Sequence, residues 1–363
     1  KFISASALFT FTGISHGLGR KILNVAQGKL APADARQMIT YDLLQTSLNY
    51  FSGCWDAIIP HDNELVRRNL EMGEVWSASL HYYWHGFPYL YQGKLNDCAD
   101  VLARLEEIVA VFGNDLARLL WFILKAKWLV ETRRIPEAAK AIEGGIAFIQ
   151  RRGFPLSLID LYTCRISVDL LNGDMDGAAR WLKNADKIRS EMIANPSQLS
   201  NFFKSQLEFY RHRFAAAMGR DFSGKADDYR RMALKAGRRL IKLTRKTAQH
   251  RTEGLQMVGT CYWLSHQPAK AFTWWRRAVM EGKKLGAHLE LSRCYAEIGK
   301  RLLSAPVGYS RFDGLDSQTY LDMARQMFLE MELRADLKAI EAFTCRWADT
   351  GSENIWDGGA MHA

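Results

Sequence analysis

Apolar residues recur at spacings of three and four in long blocks, and each block is closed by a turn. Leu119, Leu120, Phe122, Ile123, Ala126 and Leu129 form one stripe; Ala138, Ala139, Ile142, Ile146 and Ile149 form the next. Such spacing puts the apolar side chains on one face of a helix. Pro136 stands where the second helix opens, a position that tolerates a missing N–H. Gly153 followed by Pro155 stops it. The predicted unit is helix A, tight turn, helix B. The next unit runs from about Leu156 to Leu171, turns at Asn172 and Gly173, and resumes to about Met192, with Asn195 and Pro196 closing it.

The turns are periodic. Gly13, Gly53, Gly93, Arg133 and Gly173 lie 40 residues apart. An apolar residue follows two positions later in four of these five units (Trp55, Leu95, Ile135, Met175), with Ser15 the exception. A small or apolar residue follows at six (Gly19, Ile59, Ala99, Ala139, Ala179). A fixed period in this range marks stacked helix hairpins, and its constancy argues against an irregular bundle. The fold class predicted is all-α: a right-handed α-solenoid of about eight helix-turn-helix repeats with a period near 40 residues. A solenoid also accommodates 363 residues without one large core, because each unit packs only on its neighbours.

After Gly173 the period loosens. Two helices of roughly 20 residues are expected on either side of a turn at Gly219 to Gly224, the next clear turn is Ser265 to Pro268, and Ala271 takes the slot of Ala139 and Ala179. Gly299 precedes an irregular insertion from Ser304 to Ser317 that holds Pro306, Gly308 and Gly314. The expected organisation is regular repeats over 1–193, longer and irregular repeats with a C-terminal cap over 194–348, and a Gly-rich flexible tail over 349–363.

The turn glycine and the early alanine of helix B match the small-residue positions of tetratricopeptide repeats, which these hairpins resemble. The unit exceeds the 34-residue type. It looks like the extended variety that follows the nucleotide-binding modules of large bacterial signalling ATPases, including MalT-like regulators. The stretch from Leu289 to Leu303 and that from Tyr320 to Phe328 are similar to the last repeats of such proteins. The resemblance implies a non-catalytic protein-binding scaffold or sensor arm of a larger bacterial signalling protein. Its alternative is a small-molecule effector-binding domain of a MalT-like ATPase.

Composition narrows the classes. Hydrophobic residues at 48% and charged residues at 24% fit a folded soluble chain, and only 8 prolines favour helix over strand. The six cysteines, Cys54, Cys98, Cys164, Cys261, Cys294 and Cys345, are scattered with no C-x-x-C pair. They read as reduced thiols packed between helices in a cytoplasmic protein. Lys1 and the apolar stretch from Phe2 to Leu18 superficially resemble a signal peptide, but Gly13 lies on the 40-residue grid. Ser4, Ser6, Thr10, Thr12 and Ser15 also dilute the run, so a first repeat cut from an upstream neighbour is expected. No stretch reaches the roughly 18–20 apolar residues of a membrane span.

Candidate chemistry is sparse. Gly219 to Ala226 fits G-x-x-x-x-G-K, but Ala226 replaces the Ser or Thr that holds magnesium, and helix precedes it; a turn is expected. His81 and His85 share a helix face, half of a metal site, yet no third ligand is evident and H-E-x-x-H is absent. Two partly exposed histidines are expected, with no metal and no cofactor. Glu106, Glu107 and Glu131 read as solvated, and no nucleophile motif or catalytic pair appears.

Two features carry binding hypotheses. His81 to Tyr91 packs six aromatics into eleven residues, with Pro88 set to kink the helix. Most would fill the space between repeats. Tyr82, Tyr83, Trp84 and Tyr89 are the candidates for a partner-binding groove, because aromatics with polar tips give large contact area at small entropy cost.

The second feature is charge. Residues 211–251 hold thirteen Lys and Arg against three Asp, a net of +10 that equals the net charge of the whole chain. Arg231, Lys235, Arg238, Lys242 and Arg245 form a stripe at helical spacing, with Met232, Leu240, Ile241 and Leu243 as packing contacts. The stripe is a solvated face or holds an acidic protein segment or attached domain; nucleic acid and lipid are further alternatives. The lack of a recognition module and of interleaved exposed aromatics argues against nucleic acid.

Overall fold

The computed structural model describes residues 2–218, 223–305 and 308–350. Among them, helices follow one another in eight successive pairs and a final single helix. The pairs are α1 (Phe2–Thr12) and α2 (His16–Gln27), α3 (Ala35–Ser52) and α4 (Asn63–Glu71), α5 (Val75–Tyr91) and α6 (Leu95–Phe112). Next come α7 (Asp115–Glu131) and α8 (Ile135–Arg152), α9 (Leu158–Leu171) and α10 (Met175–Glu191), α11 (Pro196–Met218) and α12 (Ser223–Leu243). The last are α13 (Arg251–Leu264) and α14 (Pro268–Leu285), α15 (His288–Leu303) and α16 (Ser317–Glu330), then α17 (Arg334–Thr350). The all-α hairpin class read from the sequence holds.

The turns explain the period. A residue with positive φ occurs every 20 residues from Gly53: Gly73, Gly93, Gly113, Arg133, Gly153 and Gly173 follow. The 40-residue grid marks the turns from helix A to helix B; Gly73, Gly113 and Gly153 mark the intervening turns back. At many of these ends the next amide donates back five residues. Lys94 N–H reaches Tyr89 O at 2.8 Å, Arg134 N–H reaches Leu129 O at 2.9 Å, and Asp174 N–H reaches Asp169 O at 2.8 Å. This closure needs one left-handed residue, which glycine supplies without steric penalty. Arg133 adopts it with a φ of 58° despite its Cβ.

One hairpin breaks the beat. The grid places helix B directly after Gly53, but Trp55–Ala57 is a short 3-10 turn and α4 starts only at Asn63, where the Asp62 side chain caps it. The segment between lies against α5, as described below.

The chain divides into two compact units. The first is Lys1–Cys164 with Ala185–Ser200 and Leu243–Gln249; the second is Arg165–Asn184 with Asn201–Lys242 and His250–Ala363. In the first unit α3 touches α5 and α5 touches α7, so alternate helices pack side by side as repeats require. Gly86 of α5 is where the approach is tightest, since a Cβ there would collide with the Leu124 side chain of α7. Tyr50 is fully buried, with ring centroids of Trp55, Trp84, Phe87 and Tyr91 between 5.9 and 6.3 Å away.

In the second unit Leu207 of α11 packs with Ala233, Ala236 and Leu240 of α12 and with Met257, Val258 and Cys261 of α13. Trp275 is fully buried while Trp274 is half-buried, as adjacent helical positions demand. The insertion before α16 carries a two-residue ladder, β1 (Arg311–Phe312) with β2 (Leu315–Asp316), that tucks Phe312 against Trp275 and Tyr320.

Several expectations are corrected. Met232 is exposed rather than packed. Glu131 is buried and paired with Lys127 at 3.0 Å, although Glu106 and Glu107 are solvated. All six cysteines are free, but Cys54 and Cys345 are exposed. Among the described residues no helix is long and apolar enough to cross a membrane. Residues 219–222 of the G-x-x-x-x-G-K segment, 306–307 of the insertion and 351–363 of the expected tail lie outside the described residues.

Candidate functional site

The aromatic segment belongs to α5, and its tyrosines are not the open groove expected. Tyr82 and Tyr89 are buried; Tyr83 and Trp84 are half-buried. The Trp84 ring fills a junction with other helices, 5.5 Å from Phe11 and 5.2 Å from Phe51 by ring centroid, and Tyr83 packs 5.0 Å from Phe87 of its own helix. The polar tips are spent internally. Tyr82 donates to Asn63 Oδ1 at 2.7 Å, and the Tyr89 hydroxyl sits 3.0 Å from both the backbone N and Nδ1 of His61. Burial pushes the Tyr82 hydroxyl up to about 12. A helix between two neighbours has little free face, so an aromatic-rich helix A becomes core.

His81 and His85 are fully buried, not partly exposed. The irregular segment before α4 covers them. The Asp62 amide donates to His81 Nε2 at 3.3 Å, and Ile59 O lies 3.2 Å from His85 Nε2. From α3, Asp42 Oδ2 approaches His81 Nδ1 at 2.9 Å and His85 Nε2 at 3.8 Å. The third acidic or basic partner that the sequence did not reveal therefore comes from the preceding repeat. Burial is the main cause, and the neighbouring His81 a second, that lowers His85 to about 4, against an opposing pull from Asp42.

A larger polar seam runs within the second unit across α11, α13 and α15. Lys204 Nζ bridges Glu208 Oε2 at 2.9 Å and Glu253 Oε1 at 3.3 Å. His250, in the left-handed region with a φ of 59°, places Nδ1 3.1 Å from Glu253 Oε2, and Glu290 Oε2 accepts from the Glu253 amide at 3.2 Å. Further along, Thr260 donates to Glu297 Oε1 at 3.2 Å, and Arg301 Nε donates to the same oxygen at 2.9 Å.

The seam's charges are held, not solvated. Burial alone would raise Glu297, yet Arg301 and Arg211 outweigh it and keep the carboxyl at about 2. Burial also opposes ionisation of Glu208, and Lys204 overcomes it. His212 is lowered to about 4, first by burial and then by Arg211. Two buried atoms in the seam make no hydrogen bond: Arg211 Nε and Glu290 Oε1. Sequence reasoning missed this seam. The available signal was charge at helical spacing (Lys204, Glu208, Arg211, His212) on a helix otherwise rich in aromatics.

The basic stripe is exposed where the sequence put it, but it is shorter. Arg231, Lys235, Arg238 and Lys242 lie on α12. Arg245 lies past the end of α12, in the Leu243–Gln249 segment that belongs to the first unit, so it does not continue the helical face. Arg231 is already paired with Asp227 and Asp228 of its own helix.

A surface depression in the first unit is bordered by Leu70, Tyr82, Arg104, Ile108, Val111 and Phe112. Of the four groove candidates Tyr82 borders it, and Tyr83, Trp84 and Tyr89 do not.

No protein-family profile matches this chain, and no curated protein does. Among solved structures, the chain is similar to a Rap protein complexed with competence and sporulation factor. The TM-score is 0.57 at 9% sequence identity, and the match covers 96% of this chain and 91% of that one. The likeness shows a tetratricopeptide-like helical repeat fold.

Proposed function

We propose that this chain is a non-catalytic binding scaffold that docks an extended protein segment along the polar seam of α11, α13 and α15. The observation that carries the reading is the row of partly exposed charges, Glu253, Glu297 and Arg301, beside two buried atoms that make no hydrogen bond, Arg211 Nε and Glu290 Oε1, the latter 3.6 Å from His250 Nδ1. A buried donor or acceptor without a partner is costly, on the order of 1–3 kcal/mol. A ligand that supplies carbonyl and amide groups bonds the exposed parts of Glu253, Glu297 and Arg301. Glu290 and Glu297, the seam's two acidic centres on α15, are two helical turns apart, roughly 10 Å at 1.5 Å per residue. Three extended residues span that distance. The surrounding pairs are formed before any ligand arrives, so binding orders little of the protein.

The fold supports this reading because such repeats present broad faces, and the similar Rap protein is complexed with a partner factor. The sequence resemblance extends it: the chain acts as a sensor arm of a bacterial signalling protein, as MalT-like arms do. The exposed face of Arg231, Lys235, Arg238 and Lys242 then serves an acidic neighbouring segment. Tyr82, Tyr83, Trp84 and Tyr89 support the first unit's packing rather than touch the ligand.

The test is selection from a displayed random peptide library, with affinities measured by fluorescence anisotropy. Selected peptides should bind the wild-type chain, weaken at least about tenfold with Arg211→Met or Glu253→Gln, and tolerate Arg238→Glu with Lys242→Glu. If no peptide is selected, or if only the α12 variant loses binding, the seam is not the docking surface.

A further inference from the structure

We infer that Asp42, His81 and His85 form a binding site for a single divalent transition-metal ion of the zinc type. The three donor atoms lie within 4.8 Å of one another. A tetrahedral zinc shell places ligand atoms about 2.0–2.2 Å from the ion, so neighbouring donors stand roughly 3.3 Å apart. The contacts of 2.9 and 3.8 Å from Asp42 Oδ2 to the two rings bracket that spacing. His81 and His85, four apart on α5, present their rings on one helix face with centroids 4.4 Å apart.

The surroundings suit an ion better than they suit hydrogen bonds alone. Both ring nitrogens of His85 face carbonyl oxygens: Nδ1 lies 2.8 Å from His81 O, and Nε2 lies 3.2 Å from Ile59 O. A neutral imidazole carries one N–H, so it can donate to only one of them. With the hydrogen on Nδ1, donating to His81 O, the lone pair of Nε2 faces Ile59 O and Asp42 Oδ2, and the nearest donor to it is the Thr46 hydroxyl at a long 3.4 Å. A metal ion at Nε2 satisfies that lone pair better than the long Thr46 contact does, and an N–H donated to a backbone carbonyl is the usual support of a metal-bound histidine.

A second observation is independent of the first. Asp42 Oδ2 and His81 Nδ1 are buried and make no hydrogen bond although they lie 2.9 Å apart. Coordination through His81 Nδ1 moves that ring's hydrogen to Nε2 and gives up the long bond from the Asp62 amide; the metal bond replaces it. Ile59 O or a water completes the shell. The Asp42 side chain is 22% exposed, which gives the ion its way in.

A second three-donor cluster, His250, Glu253 and Glu290, lacks this character. The Lys204 ammonium is 3.3 Å from Glu253 Oε1 and supplies the positive charge there. It serves as the internal comparison.

The experiment strips the full chain with EDTA, then titrates it with Zn2+ against a chromophoric chelator and, separately, with Co2+ while recording visible absorption. The result expected is one tight equivalent, with the ligand-field bands of four-coordinate cobalt. Asp42→Asn and His81→Gln should each weaken it by at least about tenfold, and Glu253→Gln should leave it unchanged. Asp42→Asn keeps the size of a side chain that is 22% exposed, so it decides the matter even where the histidine variant fails to fold. The proposal is overturned if the folded wild-type chain takes no equivalent from the chelator, or if Asp42→Asn binds as tightly as wild type.

Discussion

Arg301 donates through Nε to Glu297 Oε1 at 2.9 Å, one turn away on α15, with both side chains about three-quarters or more buried. The pair gives the fold a defined acid sensitivity. Glu297 is held at about 2 when folded and returns to about 4.5 when unfolded. Its stabilising contribution is therefore complete above about pH 4.5 and is lost as pH falls toward 2. His212 acts in the same direction: it is near 4 when folded and 6.5 when unfolded, so protons favour the unfolded chain below about pH 6.5. Melting temperatures between pH 7 and pH 3 should fall in the wild type. Glu297→Gln should be less stable at pH 7 and show a flatter profile below pH 4.5.

Trp275 and Trp274 separate core from surface within two adjacent positions. Trp275→Ala removes a fully buried ring packed on Trp263 and Phe312 and should destabilise by about 3–5 kcal/mol. Trp274→Ala removes a half-buried ring that stacks on Tyr262 and should lose about 1–2 kcal/mol. Urea midpoints of the two variants compare them directly, and equal losses would contradict the burial described here.

Arg133 and Glu332 occupy left-handed backbone with φ of 58° and 56°. A Cβ in that region costs about 1–2 kcal/mol, and the added freedom of glycine in the unfolded chain returns about 0.4–1 kcal/mol of it. Arg133→Gly and Glu332→Gly should each stabilise by roughly 0.5–1 kcal/mol. A falling urea midpoint in both would show that the turns are not closed as described.

Gly86 makes the opposite case. A methyl group there meets the Leu124 side chain, so Gly86→Ala should destabilise by about 1–3 kcal/mol in spite of alanine's higher helix propensity. Gly17, helical and with open space around its Cβ position, is the matched control and should gain about 0.5–1 kcal/mol on the same change. Thermal denaturation of the two variants should shift in opposite directions.

The hairpin class was legible because its signal is local: helical stripes, and a glycine wherever a helix must close left-handed. Arg133 sits on that grid without being glycine, and it was recognised only because its neighbours kept the spacing. What pattern could not show was which face each helix spends on its neighbours. Tyr82 and Tyr89 have the chemistry of groove residues, but α5 is flanked by α3, α4, α6 and α7, which leaves them inside. Glu131 looked solvated for the same reason. His81 and His85 were visible as a pair; Asp42 is a residue of the previous repeat, and no spacing rule joins them. The missing piece was the late start of α4 at Asn63, which frees Ile59, His61 and Asp62 to cover the rings.

The 20-residue recurrence of left-handed turns works as a reading frame in three dimensions. Each helix residue turns the chain by about 100°, so losing one residue between Gly53 and Gly173 would swing the next helix's buried face toward solvent. Losing a full repeat of 40 residues restores the phase and shortens the stack. Changes in length should thus be tolerated in whole repeats, or in places such as 54–62 and 304–316 where the count has already been broken.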